Sequence, residues 1–241
     1  MVNTWSHHMV PLGHALDEGL KHMGATVIPM GVGNTELQVQ VLHDMPVTGW
    51  VGTAGFLSTI LNRAEEMGYD PKRDFRLRVA LAGGEPGGGP IRKMFEEKYG
   101  LITSDCYGSF ECGLQAYECN QRSGMHICDK VIVEIVDLAT GKQLGPGEIG
   151  QVVATSFDRA YPLIRYGMGD LSSFIDEPCP CGRTSLRLTK IMGRIGEAVR
   201  TRGIFIHPRQ VSEVISRFPE ISRHQAVVTR PQTRDELVLK V

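Results

Sequence analysis

Leu77-Arg-Val-Ala-Leu-Ala-Gly-Gly-Glu-Pro86 decides the fold class. Its first half, Leu77 to Ala82, is a short aliphatic run closed by two glycines, which reads as a buried strand. Pro90 to Tyr99 then reads as a helix. The same alternation precedes this stretch. Pro11 to Met23 predicts a helix, with Leu12, Ala15, Leu16, Leu20 and Met23 near helical spacing and Gly24 as its stop. Thr26 to Met30 predicts a strand, followed by the turn Gly31 to Asn34 and a helix over Glu36 to Asp44. Gly49 to Thr53 predicts another strand, and Phe56 to Met67 an amphipathic helix ending at Gly68. Strands separated by helices imply βαβ units, hence an α/β fold with a parallel sheet and flanking helices.

After Leu101 the pattern changes. Lys130 to Asp137 alternates with period two, and Ala139 to Lys142 is a turn leading into Gly147 to Ser156. This predicts an antiparallel, barrel-like β region. Near Gly196 the pattern shifts again. A short strand at Phe205, a helix over Arg209 to Phe218 and strands over Gln225 to Thr229 and Glu236 to Val241 open a small α+β unit. The expected division is 1–105, 106–195 and 196–241, with the last domain incomplete.

Lys plus Arg total 26 and Asp plus Glu total 27, so no net positive field exists to attract nucleic acid or an anionic membrane. No apolar run reaches the ~20 residues of a membrane helix, and Met1 is followed by no secretory leader. The six cysteines therefore fit a reducing cytoplasm, where they bind metal, catalyse or pack more often than they pair.

Four strings carry candidate chemistry. Gly84-Glu85-Pro86 follows a strand end, where open α/β sheets bind ligands, although glycine content alone favours a plain strand-to-helix turn. Gly87-Gly-Gly-Pro90 lacks the Lys and Ser/Thr of a phosphate loop. Cys106-Tyr-Gly-Ser-Phe-Glu111 offers an aromatic to stack on a purine, a glycine for close approach and a carboxylate for Mg²⁺. Alone it also fits a buried tyrosine beside an exposed glutamate. In Tyr161-Pro-Leu-Ile-Arg-Tyr-Gly-Met-Gly-Asp170, the final carboxylate suits a vicinal diol, having several lone pairs and no donor, although a turn aspartate fits the residue alone. Cys119, His126, Cys179 and Cys181 have the donor types of a tetrahedral zinc set, though spacing alone also admits scattered reduced cysteines.

Taken together with Gly193-Arg194 and Arg202-Gly203, these strings resemble the phenylacetate–coenzyme A ligase family of AMP-forming acyl-adenylating enzymes. Asn3 to Gly13, Thr26 to Pro29, Gly33 to Glu36 and Val51 to Thr53 are similar to further family strings, so the resemblance covers essentially the whole chain. It implies that Gly84, Glu85 and Pro86 lie against adenine and ribose, with Tyr107 and Gly108 beside them. It implies that Glu111 is catalytic and holds Mg²⁺, that Asp170 accepts the ribose hydroxyls, and that Arg194 reaches ribose or phosphate. His8 would stand near the acyl pocket. Departures are Phe110 for a phosphate-contacting Thr, Gly167-Met168 for Arg-Thr, His7 for Tyr, His207 for Phe, and Gly196 for the hinge Asp.

Relatives with the Cys179-Pro-Cys181-Gly string also tend to carry the Glu118-Cys119 and Gly124-Met-His126 strings, which implies a structural zinc on Cys119, His126, Cys179 and Cys181. The family's phosphate loop belongs upstream of Asn3 and its catalytic Lys beyond Val241. The expectation is a partial ligase using ATP and coenzyme A to activate a small carboxylic acid, and inactive as this chain alone. A non-catalytic, zinc-stabilised nucleotide-binding or interaction module is the alternative. A second chain supplying the N-terminal part, or a homodimer, is compatible with either; nucleic acid and membrane partners are not expected.

Overall fold

The computed structural model describes residues 1–85, 89–197, 199–201, 204–206, 208–229 and 236–241. The chain begins with β1 (Val2–Asn3), α1 (Pro11–His22), β2 (Ile28–Pro29), α2 (Thr35–Asp44), β3 (Gly49–Gly52) and α3 (Ala54–Glu66). A short α4 (Pro71–Asp74), β4 (Val79–Gly83) and α5 (Gly89–Tyr99) complete this alternating part. The helix boundaries follow local chemistry. Pro11 stands at the first turn of α1, where its missing N–H costs nothing. Thr53 caps α3 by accepting from the Phe56 N–H, and Asp70 caps α4 by accepting from Lys72. Gly68 follows α3 with φ +88°, a conformation that suits glycine alone.

β-structure follows: β5 (Ile102–Ser109), β6 (Gly113–Glu118), β7 (Met125–Ile127), β8 (Val131–Val136), β9 (Gly150–Ser156), β10 (Leu163–Ser172), β11 (Phe174–Ile175), β12 (Arg187–Leu188) and β13 (Gly193–Arg194). Last come β14 (Val199–Thr201), β15 (Ile204–Ile206), α6 (Pro208–Ile215), β16 (Gln225–Thr229) and β17 (Glu236–Lys240). Among the described residues, a nine-stranded sheet has the order β11-β12-β7-β6-β5-β4-β3-β1-β2. Its β2-β1-β3-β4-β5 limb is parallel, as expected; from β5 through β6, β7, β12 and β11 the pairing is antiparallel. A separate antiparallel sheet has the order β13-β10-β9-β8.

The α/β class and the antiparallel region thus follow the expectation. Several strands were not individually expected, among them β1, β5 and β6. β1 is two residues long, too short to show a period, yet it fills the position between β3 and β2. β5 and β6 continue the first sheet through the motif at 106–111, which carries polar residues where a buried strand is usually apolar. The proposed 105/106 domain boundary falls within β5. The described residues include no helix long and apolar enough to cross a membrane.

Two cores result. Trp50, Leu57, Ile60, Leu61, Phe75 and Phe95 pack between the parallel limb and its helices. Tyr107, Ala116, Met125, Val133, Ile135, Val152, Met168 and Leu188 join the antiparallel limb to the second sheet. The first core is tightest around β3. A Cβ on Gly52 would lie 2.0 Å from Thr4 Oγ1 and 2.5 Å from the Trp50 ring. Thr4 cannot yield freely, because its buried hydroxyl donates to Val51 O at 2.8 Å.

Gly52→Ala is therefore expected to cost about 2–3 kcal/mol in urea unfolding. Gly19→Ala, inside α1 with nothing within 4 Å of its Cβ, is expected instead to stabilise by up to ~1 kcal/mol. Equal effects at the two sites would contradict this packing.

Candidate functional site

β5 is where the large sheet changes from parallel to antiparallel pairing. Beyond the C-terminal end of β4, and against β5, lies a cavity of about 530 Å³. Gly84, Glu85, Tyr107, Gly108, Asp170 and Arg194 all line it. Ligands in open α/β sheets settle at such strand ends, because loops diverge there and leave backbone groups free.

Tyr107 sits on β5 with only 9% of its surface exposed, packed in the second core. Its hydroxyl donates to Asp170 Oδ2 at 2.8 Å. Burial, and then the Asp170 charge, push the Tyr107 phenol well above its ordinary range, so it remains a donor at every relevant pH. Asp170 lies on β10 directly opposite Arg194 on β13. The Arg194 Nε stands 3.8 Å from Asp170 Oδ1, and its Nη2 is 3.4 Å from Met168 O. Gly169, at φ +76°, lets the guanidinium pass: a Cβ there would be 3.1 Å from Nη2. One Asp170 oxygen is thus held by Tyr107, while the other has the longer contact to a mostly exposed Arg194.

On the opposite wall, Gly84 adopts φ +73° under the Trp5 indole, which would lie 2.8 Å from any Cβ. The Glu85 carboxylate accepts from the Gly55 N–H at 2.8 Å, at the first turn of α3, where anionic groups are favoured.

Several lining residues were not anticipated. Asp105 on β5 is pushed up to about 6 by burial, then by the Glu118 charge, with Arg92 pulling the other way. Glu118 accepts from Arg92 at 2.5 Å and from the Asp105 N–H at 3.0 Å. Arg122, Lys190 and Thr189 line the cavity as well. Asp105 precedes the 106–111 motif by one residue; for Lys190 and Thr189 no sequence signal stood out.

Other expected site residues stand apart from the cavity lining. Glu111 is exposed in the turn between β5 and β6, next to Phe110, which is 56% exposed. His8 is exposed near the start of α1, whereas its neighbour His7 contacts Asp17 at 2.9 Å. Pro86, Arg202, Gly203 and His207 lie outside the described residues.

Cys119, His126, Cys179 and Cys181 are brought together, their ligand atoms all within 4.8 Å of one another. Cys119 Sγ and Cys179 Sγ are 3.7 Å apart, close to the ~3.8 Å edge of a tetrahedral zinc–thiolate site. Cys181 Sγ is 3.3 Å from His126 Nε2. His126 is fully buried, and its Nδ1 lies 3.1 Å from Ser185 Oγ, a contact that fixes the ring. Three sulfurs and one imidazole converging in a buried pocket are the donor set zinc favours, and four such donors leave no open position.

No family model matches the chain. It is 34% identical over 245 residues to a phenylacetate-coenzyme A ligase of Thermus thermophilus, covering 99% of this chain and 55% of that protein. A phenylacetate-coenzyme A ligase of Escherichia coli is 33% identical over 230 residues, 92% of this chain and 52% of that one. The chain is a homologue of the phenylacetate–coenzyme A ligases. It spans about half the length of these relatives. Among solved structures, an open conformation of 2-hydroxyisobutyryl-CoA ligase in complex with 2-HIB-AMP and CoA superposes with a TM-score of 0.85 at 27% identity. That match covers 99% of this chain and 54% of the other. ATP-bound MatB of Rhodopseudomonas palustris, at TM-score 0.67 and 15% identity, shares the fold. This phenylacetate–coenzyme A ligase homologue thus resembles CoA ligases along its entire length.

The raised Asp105 has a stability consequence. Below about pH 4 both folded and unfolded Asp105 carry the proton and it contributes nothing. Between about pH 4 and 6 the folded chain retains a proton that the unfolded chain loses, so ionising Asp105 weakens the fold progressively as pH rises. A two-unit shift is worth up to ~3 kcal/mol in a dry site, and solvent in the cavity reduces this to about 1–2 kcal/mol. Asp105→Asn is expected to raise the melting temperature at pH 7 and to lose that gain near pH 4. A gain unchanged across that range would contradict the assignment.

Proposed function

We propose that this chain carries the nucleotide-binding core of an AMP-forming acid–coenzyme A ligase, which converts a carboxylic acid and ATP to an acyl-adenylate and then to a coenzyme A thioester. The single observation that carries this reading is the Tyr107–Asp170–Arg194 unit at the sheet's switch point. Asp170 would accept the ribose hydroxyls, with Tyr107 holding the carboxylate in register and presenting its ring to the adenine. Gly84, Glu85, Pro86 and Gly108 would frame the nucleoside, and Arg194 would reach ribose or phosphate. Glu111 would hold Mg²⁺ at the phosphates, and His8 would stand near the acid. With 1–105 and the zinc-bearing 106–195 moving together, the small unit 196–241 would turn about Gly196, whose lack of a side chain suits a hinge.

Cys119, His126, Cys179 and Cys181 would hold a structural zinc. Zinc there would contribute to folding; with no open position it would take no part in the reaction.

Phe110 favours a second reading, a module that binds nucleotide without turning it over. It puts an exposed ring where a hydroxyl donor to phosphate would otherwise stand. Pyrophosphate release across a panel of aryl and aliphatic acids separates the two. Acid-dependent release abolished by Glu111→Ala belongs to a ligase; AMP binding without release belongs to the module.

Calorimetry tests the shared nucleotide site. AMP is expected to bind, with ATP gaining no more than about threefold because Phe110 offers no hydrogen bond. Asp170→Ala is expected to weaken AMP about ten- to a hundredfold, the loss of hydrogen bonds to a charged acceptor. Wild-type AMP affinity in Asp170→Ala would contradict the ribose role.

A further inference from the structure

The loop between Cys119 and His126 belongs to two sites at once. Its ends supply two members of the Cys/His cluster, while Arg122, Ser123 and Gly124 between them line the nucleotide cavity. The loop is stiff. Arg122 is held at φ +52° and Gly124 at φ +104°. A Cβ at Gly124 would come within 2.7 Å of both Leu188 O and Ile175 Cδ1, so the loop lies flush against β11 and β12.

Arg187 fastens this loop to the segment bearing the other two cysteines. It is 4% exposed, and the described ion pairs give it no carboxylate partner. Its Nη1 donates to Ser123 Oγ at 2.6 Å and also to Ser123 O. Its Nη2 donates to Glu177 O at 2.5 Å, two residues before Cys179. Ser123 Oγ in turn stands 3.6 Å from Cys179 Sγ. Ser123 therefore touches a cluster sulfur, the buried guanidinium and the cavity. On the far side, Arg122 Nη2 pairs with Glu96 at 2.6 Å and donates to Thr103 O at 3.3 Å, tying the same loop to α5 and β5.

We propose that metal occupancy at Cys119, His126, Cys179 and Cys181 sets nucleotide affinity through this loop, with Ser123 and Arg187 as positioning residues. The inference rests on the zinc and nucleotide readings above. A thiophilic divalent ion would bond to all three sulfurs and to His126 at once, locking side chains that now only touch. Doing so fixes Ser123 through Cys179 and Arg187, and so fixes the cavity wall before the nucleotide arrives. A wall ordered in advance lowers the ordering cost of binding. By linkage the effect is reciprocal: AMP tightens metal by the factor by which metal tightens AMP.

The test uses the full chain, loaded with zinc and stripped by chelator. AMP affinity is expected to fall about tenfold on stripping, within the usual range of coupling. Zinc competition against a chromogenic chelator is expected to show the same factor on adding saturating AMP. Cobalt-loaded protein gives a readout that needs no stripped form: AMP is expected to change the visible d–d absorption. Ser123→Ala and Arg187→Lys are each expected to keep one metal per chain while losing most of the AMP-induced spectral change and of the affinity difference. Equal AMP affinity in the loaded and stripped chain, or a cobalt spectrum indifferent to saturating AMP, overturns the coupling and leaves the zinc and nucleotide readings intact. Failure to bind metal, or metal retained after Cys179→Ser plus Cys181→Ser, overturns the coupling and the zinc reading together. Failure to bind AMP overturns the coupling and the nucleotide reading.

Discussion

The hydrogen bond from Tyr107 to Asp170 joins the two sheets at the point where the cavity opens. Tyr107 belongs to β5 of the large sheet, and Asp170 to β10 of the smaller one. Their side chains meet because the second core packs Tyr107 and Met168 between those sheets. The bond settles two things at once. It satisfies a buried phenol that would otherwise cost free energy, and it orients a carboxylate that lines the cavity. Much of the surrounding chain serves this meeting: the positive φ of Gly169, the register of β10 with β13, and the switch of β5 from parallel to antiparallel partners.

Charge around the cavity is balanced rather than positive. Glu85, Asp105, Glu118 and Asp170 line it, against Arg122, Lys190 and Arg194. A cavity built to grip phosphates needs a surplus of cations or free backbone N–H groups. This one instead offers carboxylate acceptors and an aromatic ring, which suit the hydroxyl- and amine-bearing end of a nucleotide. Arg194 lines the cavity with most of its side chain exposed.

Helices α1, α2, α3 and α5 and strands β3 and β4 were legible because each is long enough to show its period or apolar run. β1 escaped because two residues have no period; only its neighbours give Val2 and Asn3 their buried positions. β5 escaped because Ser104, Asp105 and Gly108 interrupt its apolar pattern, and Asp105 and Gly108 line the cavity. At the site, Tyr107, Asp170 and Arg194 were legible as parts of three strings, and the structure brings them to one cavity. The Cys/His set was legible by residue type and is now joined in space. Asp105, Arg122, Ser123 and Lys190 were not, since a lone charged or hydroxyl residue in a loop or strand is ordinarily solvated. What distinguishes them is position, which arises from strand pairing across long sequence separations.

The account depends most on the claim that a nucleoside occupies the cavity with its ribose on Asp170. A crystal structure of the chain with AMP is the most direct measurement. The predicted result is density for AMP between Gly84 and Tyr107, with ribose hydroxyl oxygens about 2.6–3.2 Å from the Asp170 carboxylate and the purine against the Tyr107 ring. AMP bound elsewhere on the chain, with Tyr107 and Asp170 still paired and nothing between them and Gly84, would contradict it.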